Sequence, residues 1–202
     1  MSGSTSTRSL ILRRLNDDAP TRAELQRVHD ASADFLHLVS GLAPSAGDVD
    51  GFFKDLPPGK GYDDKFSLGI YAAEDEGERL IGCADLVRGF PDPQTAYIGL
   101  LLLEPTARGH GLGAAAFEAI EAQASAWPGT RYLRLGVVAT TPVAQAFWAR
   151  MGFAPTGIVK PHRLGVVESG QLVACDRPAA IAASQDPRVR RLLDAMPAVP
   201  RA

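Results

Sequence analysis

Three glycines alternate with other residues directly after the most apolar stretch of the chain. Residues 100–103 are four leucines, and Gly109, Gly111 and Gly113 follow before an alanine-rich segment that starts at Ala114. Because glycine has no Cβ and adopts positive φ at little cost, such a loop leaves its backbone amides bare. The first amides of a helix lack intrahelical partners and bind phosphate oxygens well. The spacing therefore predicts a loop that holds a pyrophosphate.

A lone carboxylate in an apolar strand is the second group suited to chemistry. Asp85 lies in the segment IGCADLV, residues 81–87, whose other side chains are apolar or small. Burying an ionised carboxylate is costly unless a partner compensates its charge. We therefore expect Asp85 to have a partner or a shifted pKa, and a shifted pKa is typical of functional sites.

Composition narrows the kind of ligand. The 202 residues carry 21 Lys and Arg against 23 Asp and Glu, so no overall field attracts nucleic acid or an anionic membrane. No window approaches the roughly 20 apolar residues that span a bilayer, and the start lacks the apolar run of a signal peptide. Four histidines without paired spacing predict no metal site, and two cysteines, Cys83 and Cys175, suit buried thiols in a reducing compartment. We expect a cytoplasmic protein.

The elements that position these groups alternate as in a single α/β domain. Strands are predicted at residues 9–15, 66–74, 79–87, 95–104, 132–138, 153–164 and 171–177, with a turn at 168–171 before the last strand. Helices are predicted after caps at 16–18 with a break near Ala31, at 48–56, at 113–127, and from a Thr141 cap to Gly152. The strand at 95–104 is apolar enough to be covered on both faces, and we expect Glu104 at its end to be solvated.

Two motifs in this order resemble those of the GNAT (GCN5-related N-acetyltransferase) superfamily. The residues Arg108-Gly109-His110-Gly111-Leu112-Gly113, placed between Pro105 and a helix, are similar to the family's acetyl-CoA loop. The segment TPVAQAFWARMGF, residues 141–153, is similar to the family's later motif. Its matching positions are Ala144, Phe147, Gly152 and Phe153. Thr141 stands where the family usually has Asn, and Trp148 stands where it usually has Tyr.

The resemblance implies an α+β fold with a mixed, mostly antiparallel central sheet and helices on both faces. It covers a domain at residues 8–177, between a disordered start at 1–7 and a C-terminal tail or docking arm at 178–202. In this family the strand before the loop bulges and diverges from the next strand. The pantetheine arm of coenzyme A lies in the resulting split.

The same resemblance implies acetyl-CoA as the cofactor and assigns its contacts. The strand backbone of Leu101, Leu102 and Leu103 would follow the pantetheine arm. Amides of the glycine loop would hold the pyrophosphate; these belong to Gly109, His110, Gly111, Leu112, Gly113 and Ala114. Arg108 would also contact the coenzyme. The later motif would add contacts from Thr141, Ala144, Phe147 and Trp148.

The family's catalytic residues cannot be assigned to this chain position by position, because it has other residue types at the usual positions. An indole N–H at Trp148 donates a hydrogen bond but is not an acid at neutral pH, so it can assist the leaving sulfur only as a donor. Tyr97 stands where some relatives place a general-base Glu, and Gly136 stands where others do. We predict that Asp85 binds the acceptor amine or takes its proton, directly or through water. Candidate acceptor contacts are Asp85, Arg88, Phe90 and Tyr97.

The resulting expectation is transfer of an acetyl group from acetyl-CoA to a primary amine, with a small molecule or amino-acid-like acceptor. The family often pairs protomers, so a homodimer is one expected assembly. One alternative is an acyl-CoA-binding sensor or partner module that has lost its chemistry. Another is a dinucleotide-binding oxidoreductase, because Gly109, Gly111 and Ala114 fit the spacing of a dinucleotide fingerprint.

Overall fold

A computed structural model describes residues 10–74, 77–164 and 167–178 of the chain. One seven-stranded sheet has the order β1-β2-β3-β4-β5-β7-β6. The strands are β1 (Leu10–Arg14), β2 (Lys65–Glu74), β3 (Gly77–Arg88), β4 (Thr95–Leu103), β5 (Tyr132–Val138), β6 (Ala154–Leu164) and β7 (Val167–Pro178). The helices are α1 (Ala19–Ala31), α2 (Ala33–Ser40), α3 (Ala46–Lys54), α4 (Leu112–Ser125) and α5 (Pro142–Arg150). Among the described residues, no helix has the length and apolar character needed to cross a membrane.

Helices cover both faces of this sheet, which confirms the predicted α+β class. On one face, side chains of α4 such as Phe117 and Ile120 pack against β4 and β5. On the other, Leu25 and Val28 of α1 and Phe52 of α3 pack with β3 and β4. Strand β4 therefore has a buried cluster on each side, as its apolar sequence predicted.

The N-terminal helices begin and end where local chemistry predicts. The Asp18 side chain accepts a hydrogen bond from the Thr21 amide at 2.9 Å, which caps α1. The helical segment is interrupted at Ser32, between α1 and α2, next to the predicted break at Ala31. Gly41 ends α2 with φ of 73°.

The sheet divides between its two central strands. Strands β4 and β5 are the one parallel pair among the described strands, and they pair only from Thr95–Tyr132 to Ile98–Leu135. Beyond that point β4 continues along β3, while β5 continues along β7. Gly99 is an extra residue on β4, because Asp85 lies opposite Leu100 while its neighbour Leu86 lies opposite Ile98. The bulge and the split expected from the resemblance are therefore both present, and both begin at Gly99.

The predicted turn at residues 168–171 is wrong. Strands β6 and β7 pair through Leu164 and Val167, so the connection lies at 165–166, and residues 168–171 belong to β7. Composition suggested a turn there, but main-chain ladder bonds do not depend on side chains, so a strand accommodates Gly170. Residues 165–166 lie outside the described residues, as do the predicted disordered start at 1–7 and all of the predicted tail beyond Pro178.

Candidate functional site

The glycine loop connects the end of β4 to α4 and presents an open backbone. After a short 3-10 turn at Pro105–Ala107, Gly109 and Gly111 adopt φ of 82° and 79°. A Cβ placed on either glycine would meet nothing within 4 Å. The Ala115 amide donates to the Gly111 carbonyl, so the three preceding amides, at 112–114, have no carbonyl one turn back. This arrangement fits the phosphates of a coenzyme.

Arg108 fixes the loop from its side chain. Its Nε donates to the Leu103 carbonyl at 2.8 Å, and its Nη1 donates to Asp34 Oδ2 at 2.5 Å. The Arg108 guanidinium holds the pKa of Asp34 below its ordinary value. Because the Arg108 guanidinium is already paired with Asp34, the backbone amides are the main hydrogen-bond donors that the loop offers to an anion.

Glu104 is buried, which corrects the expectation of a solvated residue. It is 4% exposed and pairs with Arg27 and with Arg79, whose Nη1 lies 2.7 Å from Glu104 Oε2. Arg27 also donates to the Leu80 carbonyl. The two arginines compensate the carboxylate, which makes its burial tolerable at the strand end that leads into the loop.

The later motif packs against the start of α4. A Cβ on Gly113 would lie 3.3 Å from Phe147 Cε2, so α5 approaches the first turn of α4 closely. Thr141 is buried at the N-cap of α5, but its hydroxyl donates to the Val138 carbonyl at 2.5 Å instead of capping the helix. Ala144 is half-buried and packs on the same core.

Trp148 belongs to an aromatic cluster. Its ring centroid lies 4.9 Å from that of Phe147, 5.2 Å from Phe153 and 5.8 Å from Phe117, all edge to face. These contacts give Trp148 a clear packing function between α4 and α5. Its predicted contact with the leaving sulfur stays a prediction.

Asp85 lies at the bulge and has the expected partner. Its Oδ1 is 2.9 Å from Lys65 Nζ, and Lys65 is only 3% exposed. Its other oxygen lies beside Gly99, the residue at which the split begins, because a Cβ on Gly99 would lie 2.9 Å from Asp85 Oδ2. Burial raises the pKa of Asp85, and the Lys65 ammonium opposes that rise. The structure therefore gives Asp85 a charged partner, one of the two outcomes that the sequence predicted.

Lys65 was not singled out by the sequence pattern. It follows two aspartates at the end of a polar loop and resembles the rest of that loop in character. It is the first residue of β2, opposite Val87, and Val87 lies opposite Tyr97. Opposite residues share a face, and so do residues two apart on a strand. Because Asp85 lies two residues before Val87 on β3, Lys65, Asp85 and Tyr97 lie on one side of the sheet.

The other acceptor candidates divide into two groups. Tyr97 and Phe90 meet edge to face with centroids 5.5 Å apart, and burial raises the pKa of Tyr97. Arg88 instead extends to the preceding loop, where its Nη2 lies 3.3 Å from Asp64 Oδ1. The fold thus places Asp85 and Tyr97 beside the bulge, with Phe90 packed on Tyr97, while Arg88 contacts Asp64 just before β2.

The remaining predicted coenzyme contacts line the split and its entrance. Leu101, Leu102 and Leu103 lie on the part of β4 that has left β5, and the Leu103 carbonyl accepts from Arg108. His110 is exposed within the loop. No group of three or more metal-ligating side chains occurs within the ranges that the structure describes.

A split parallel pair beside a glycine-rich helix start defines an acyl-CoA-dependent transferase fold, and comparison with known proteins agrees. A sequence model of the acetyltransferase (GNAT) family matches residues 42–153, more than half of the chain. The chain belongs to this family of acetyltransferase enzymes, which use acyl-CoA. This membership removes the dinucleotide-binding oxidoreductase as an alternative.

Solved structures share the fold at low sequence identity. An acetyltransferase from Thermus thermophilus is 23% identical with a TM-score of 0.64, covering 84% of this chain and 97% of its own. Spermidine N-acetyltransferase from Vibrio cholerae, in complex with CoA and spermine, is 14% identical with a TM-score of 0.62, covering 85% and 96%. Arabidopsis thaliana NAA60, with a bisubstrate analogue, is 16% identical with a TM-score of 0.57, covering 84% and 99%. A search of curated proteins found no match.

Proposed function

We propose that the chain transfers an acetyl group from acetyl-CoA to a small primary amine. The observation that carries this proposal is the position of Asp85. Its second carboxylate oxygen, Oδ2, lies beside Gly99, where β4 bulges and parts from β5. A carboxylate at the mouth of the split is suited to an amine that approaches a thioester held in that split.

The residues that would hold the coenzyme follow from the loop and the strands. Amides at 109–114 would bind its pyrophosphate, and the unpaired side of Leu101–Leu103 would take its pantetheine arm. When bound, acetyl-CoA supplies a thioester whose carbonyl carbon accepts an amine. The open space over Gly109 and Gly111 supports this fit.

Asp85 would prepare the amine for attack. A primary amine is mostly protonated at neutral pH, so one proton must leave before its nitrogen has a free electron pair. Asp85 Oδ2 would take that proton. The amine nitrogen then bonds to the carbonyl carbon while the C–S bond breaks, and the second proton lost by nitrogen goes to sulfur, directly or through water.

The strand backbone would supply the rest of the catalysis. An amide of Leu101–Leu103 on the open side of β4 is the natural donor to the charge that develops on the carbonyl oxygen. Holding both reactants in line lowers the barrier by up to roughly 7 to 11 kcal/mol in ideal cases. The Trp148 indole would at most donate a hydrogen bond to sulfur.

The acceptor class is tested by a panel of amines. The panel contains a polyamine, a free amino acid, an aminoglycoside and a peptide N-terminus, each assayed by release of free thiol from acetyl-CoA. We expect one of these amines to be acetylated, with mass spectrometry locating the acetyl group on nitrogen. Coenzyme binding without transfer to any amine would instead favour the acyl-CoA-binding module.

The role of Asp85 is tested by Asp85→Asn. General-base removal typically costs about 10²-fold or more in rate, so we expect kcat to fall by about that factor while coenzyme affinity stays unchanged in calorimetry. Asp63→Asn, at an exposed aspartate of the neighbouring loop, is the matched control and should retain full activity. A full-rate Asp85→Asn enzyme would remove Asp85 from the mechanism.

A further inference from the structure

The two oxygens of the Asp85 carboxylate have different neighbours. Lys65 Nζ binds Oδ1 at 2.9 Å, while Oδ2 lies against the bare Cα of Gly99. The two oxygens are therefore differently occupied. Oδ1 accepts a hydrogen bond from Lys65, and Oδ2 lies beside Gly99, where β4 and β5 part.

Lys65 is an unusual residue to find at this depth. Its side chain is 3% exposed and that of Asp85 is 17% exposed. A buried ion pair is seldom more stable than apolar residues of the same size, because both charges lose their hydration. Fold stability alone therefore does not explain a lysine at this position. Its ion pair with Asp85 does explain it.

We propose that Lys65 is a positioning residue that keeps the Asp85 carboxylate ionised and directs Oδ2 toward the acceptor amine. The inference rests on the proposed function, in which Asp85 takes the proton. In this role Lys65 needs no contact with either reactant. It acts through the hydrogen bond to Oδ1, which leaves Oδ2 as the oxygen that meets the amine.

Other charged and titratable groups around Asp85 do not replace Lys65. Asp55, at the end of α3, repels the Asp85 charge. Cys83, two residues earlier on β3, is fully buried, and burial together with the Asp85 charge raises the pKa of its thiol. Within the described residues, burial and Asp55 therefore disfavour the ionised Asp85 carboxylate, and Lys65 favours it.

The proposal predicts the direction in which the acid limb of the pH–rate profile moves when Lys65 is replaced. Activity falls on the acid side as Asp85 becomes protonated. Without the Lys65 ammonium, burial acts on Asp85 unopposed, so protonation moves to higher pH. An opposite charge at this distance typically lowers a carboxyl pKa by about one unit or more, so Lys65→Met should move the acid limb of kcat/KM up by about one pH unit or more.

The first experiment measures that profile with one acceptor amine and saturating acetyl-CoA. Lys65→Met should lose activity near neutral pH and recover it at higher pH, while Lys65→Arg, which keeps the charge, should leave the acid limb close to that of the unmodified protein. Lys54→Met, at an exposed lysine paired with Asp50, is the matched control and should leave the profile unchanged. An equal loss at all pH values in Lys65→Met would contradict the proposal, because a purely structural defect has no reason to depend on pH.

A second measurement needs no turnover. In protein labelled with ¹³C at aspartate Cγ, the Asp85 signal should titrate at the same apparent pH as the acid limb, and its midpoint should move to higher pH in Lys65→Met. An Asp85 midpoint that stays in place in Lys65→Met would overturn the proposal. If no amine is acetylated but the Asp85 midpoint moves in Lys65→Met, the proposed function fails and the pairing of Lys65 with Asp85 stands. If an amine is acetylated and Asp85→Asn keeps the acid limb, the function stands and Lys65 has no positioning role.

Discussion

Arg108 and Asp34 are 74 positions apart in the chain, and Arg108 Nη1 donates to Asp34 Oδ2 at 2.5 Å. The same guanidinium donates from Nε to the Leu103 carbonyl. One side chain therefore ties the start of the glycine loop both to the end of β4 and to the first turn of α2. The loop geometry depends on a helix that is distant in sequence.

Removing this tie should weaken coenzyme binding without unfolding the protein. We expect Arg108→Met to lower CoA affinity by about tenfold, because the loop amides lose their fixed direction and must be ordered on binding. Asp34→Asn should have a smaller effect, since the Asp34 side chain is 60% exposed. Isothermal titration calorimetry measures both. Arg13→Met, which breaks the exposed pair with Glu78, is the control, and an equal loss there would refute a specific role for Arg108.

Gly99→Ala should impair catalysis through Asp85. The added Cβ would lie 2.9 Å from Asp85 Oδ2, closer than real contacts allow, and Lys65 restrains the carboxylate from moving away. We expect kcat to fall by about tenfold or more with little change in CoA affinity, because misplacing a reacting group is costly. Gly61→Ala is the control, since its Cβ would meet nothing within 4 Å. Steady-state kinetics that leave kcat of Gly99→Ala intact would argue against the position assigned to Asp85.

Stability should fall in mild acid because of His29. This side chain is 2% exposed, and its Nδ1 has no hydrogen-bond partner within the described residues. Burial lowers the pKa of His29 below the 6.5 of an exposed histidine. Below about pH 6.5 the unfolded chain therefore binds a proton that the folded chain does not, so the free energy of unfolding decreases as pH falls until the lowered pKa is reached.

The measurement compares urea unfolding at pH 7.5 and 5.5. His29→Leu should lose less stability between these values than the unmodified protein does, whatever its stability at pH 7.5. His37→Leu, at an exposed histidine of α2, should keep the original difference. An unchanged pH dependence in His29→Leu would show that other groups cause it.

Local sequence patterns predicted most of the fold because they act within a few residues. The Asp18 cap, the break near Ala31 and the glycine loop all follow from backbone chemistry that neighbours determine. The position of Asp85 in an apolar strand also carried a real signal, since such a carboxylate needs a partner. Composition failed at residues 168–171, where pairing with β6 decides the conformation.

The groups that the sequence missed are defined by contacts across the sheet. Glu104 precedes a proline and was expected to be solvated, while Lys65 follows polar residues and was not singled out. Their burial depends on Asp85, Arg27 and Arg79, which lie 20, 77 and 25 positions away. No local pattern encodes such pairs, because a long polar side chain is equally compatible with water until the fold supplies its counterion.

The most direct test of the account is the CoA affinity of Gly111→Val. Gly111 has φ of 79° and open space above it, so the valine side chain would occupy the region where phosphate must approach the amides. Gly129→Val is the matched control, because Gly129 has φ of 83°, equally open surroundings and a place at the far end of α4. Both substitutions carry a similar backbone strain of about 1 to 2 kcal/mol. Calorimetry should show CoA binding lost in Gly111→Val and retained in Gly129→Val; unchanged affinity in a folded Gly111→Val protein would contradict the central claim that the bare loop amides hold the coenzyme.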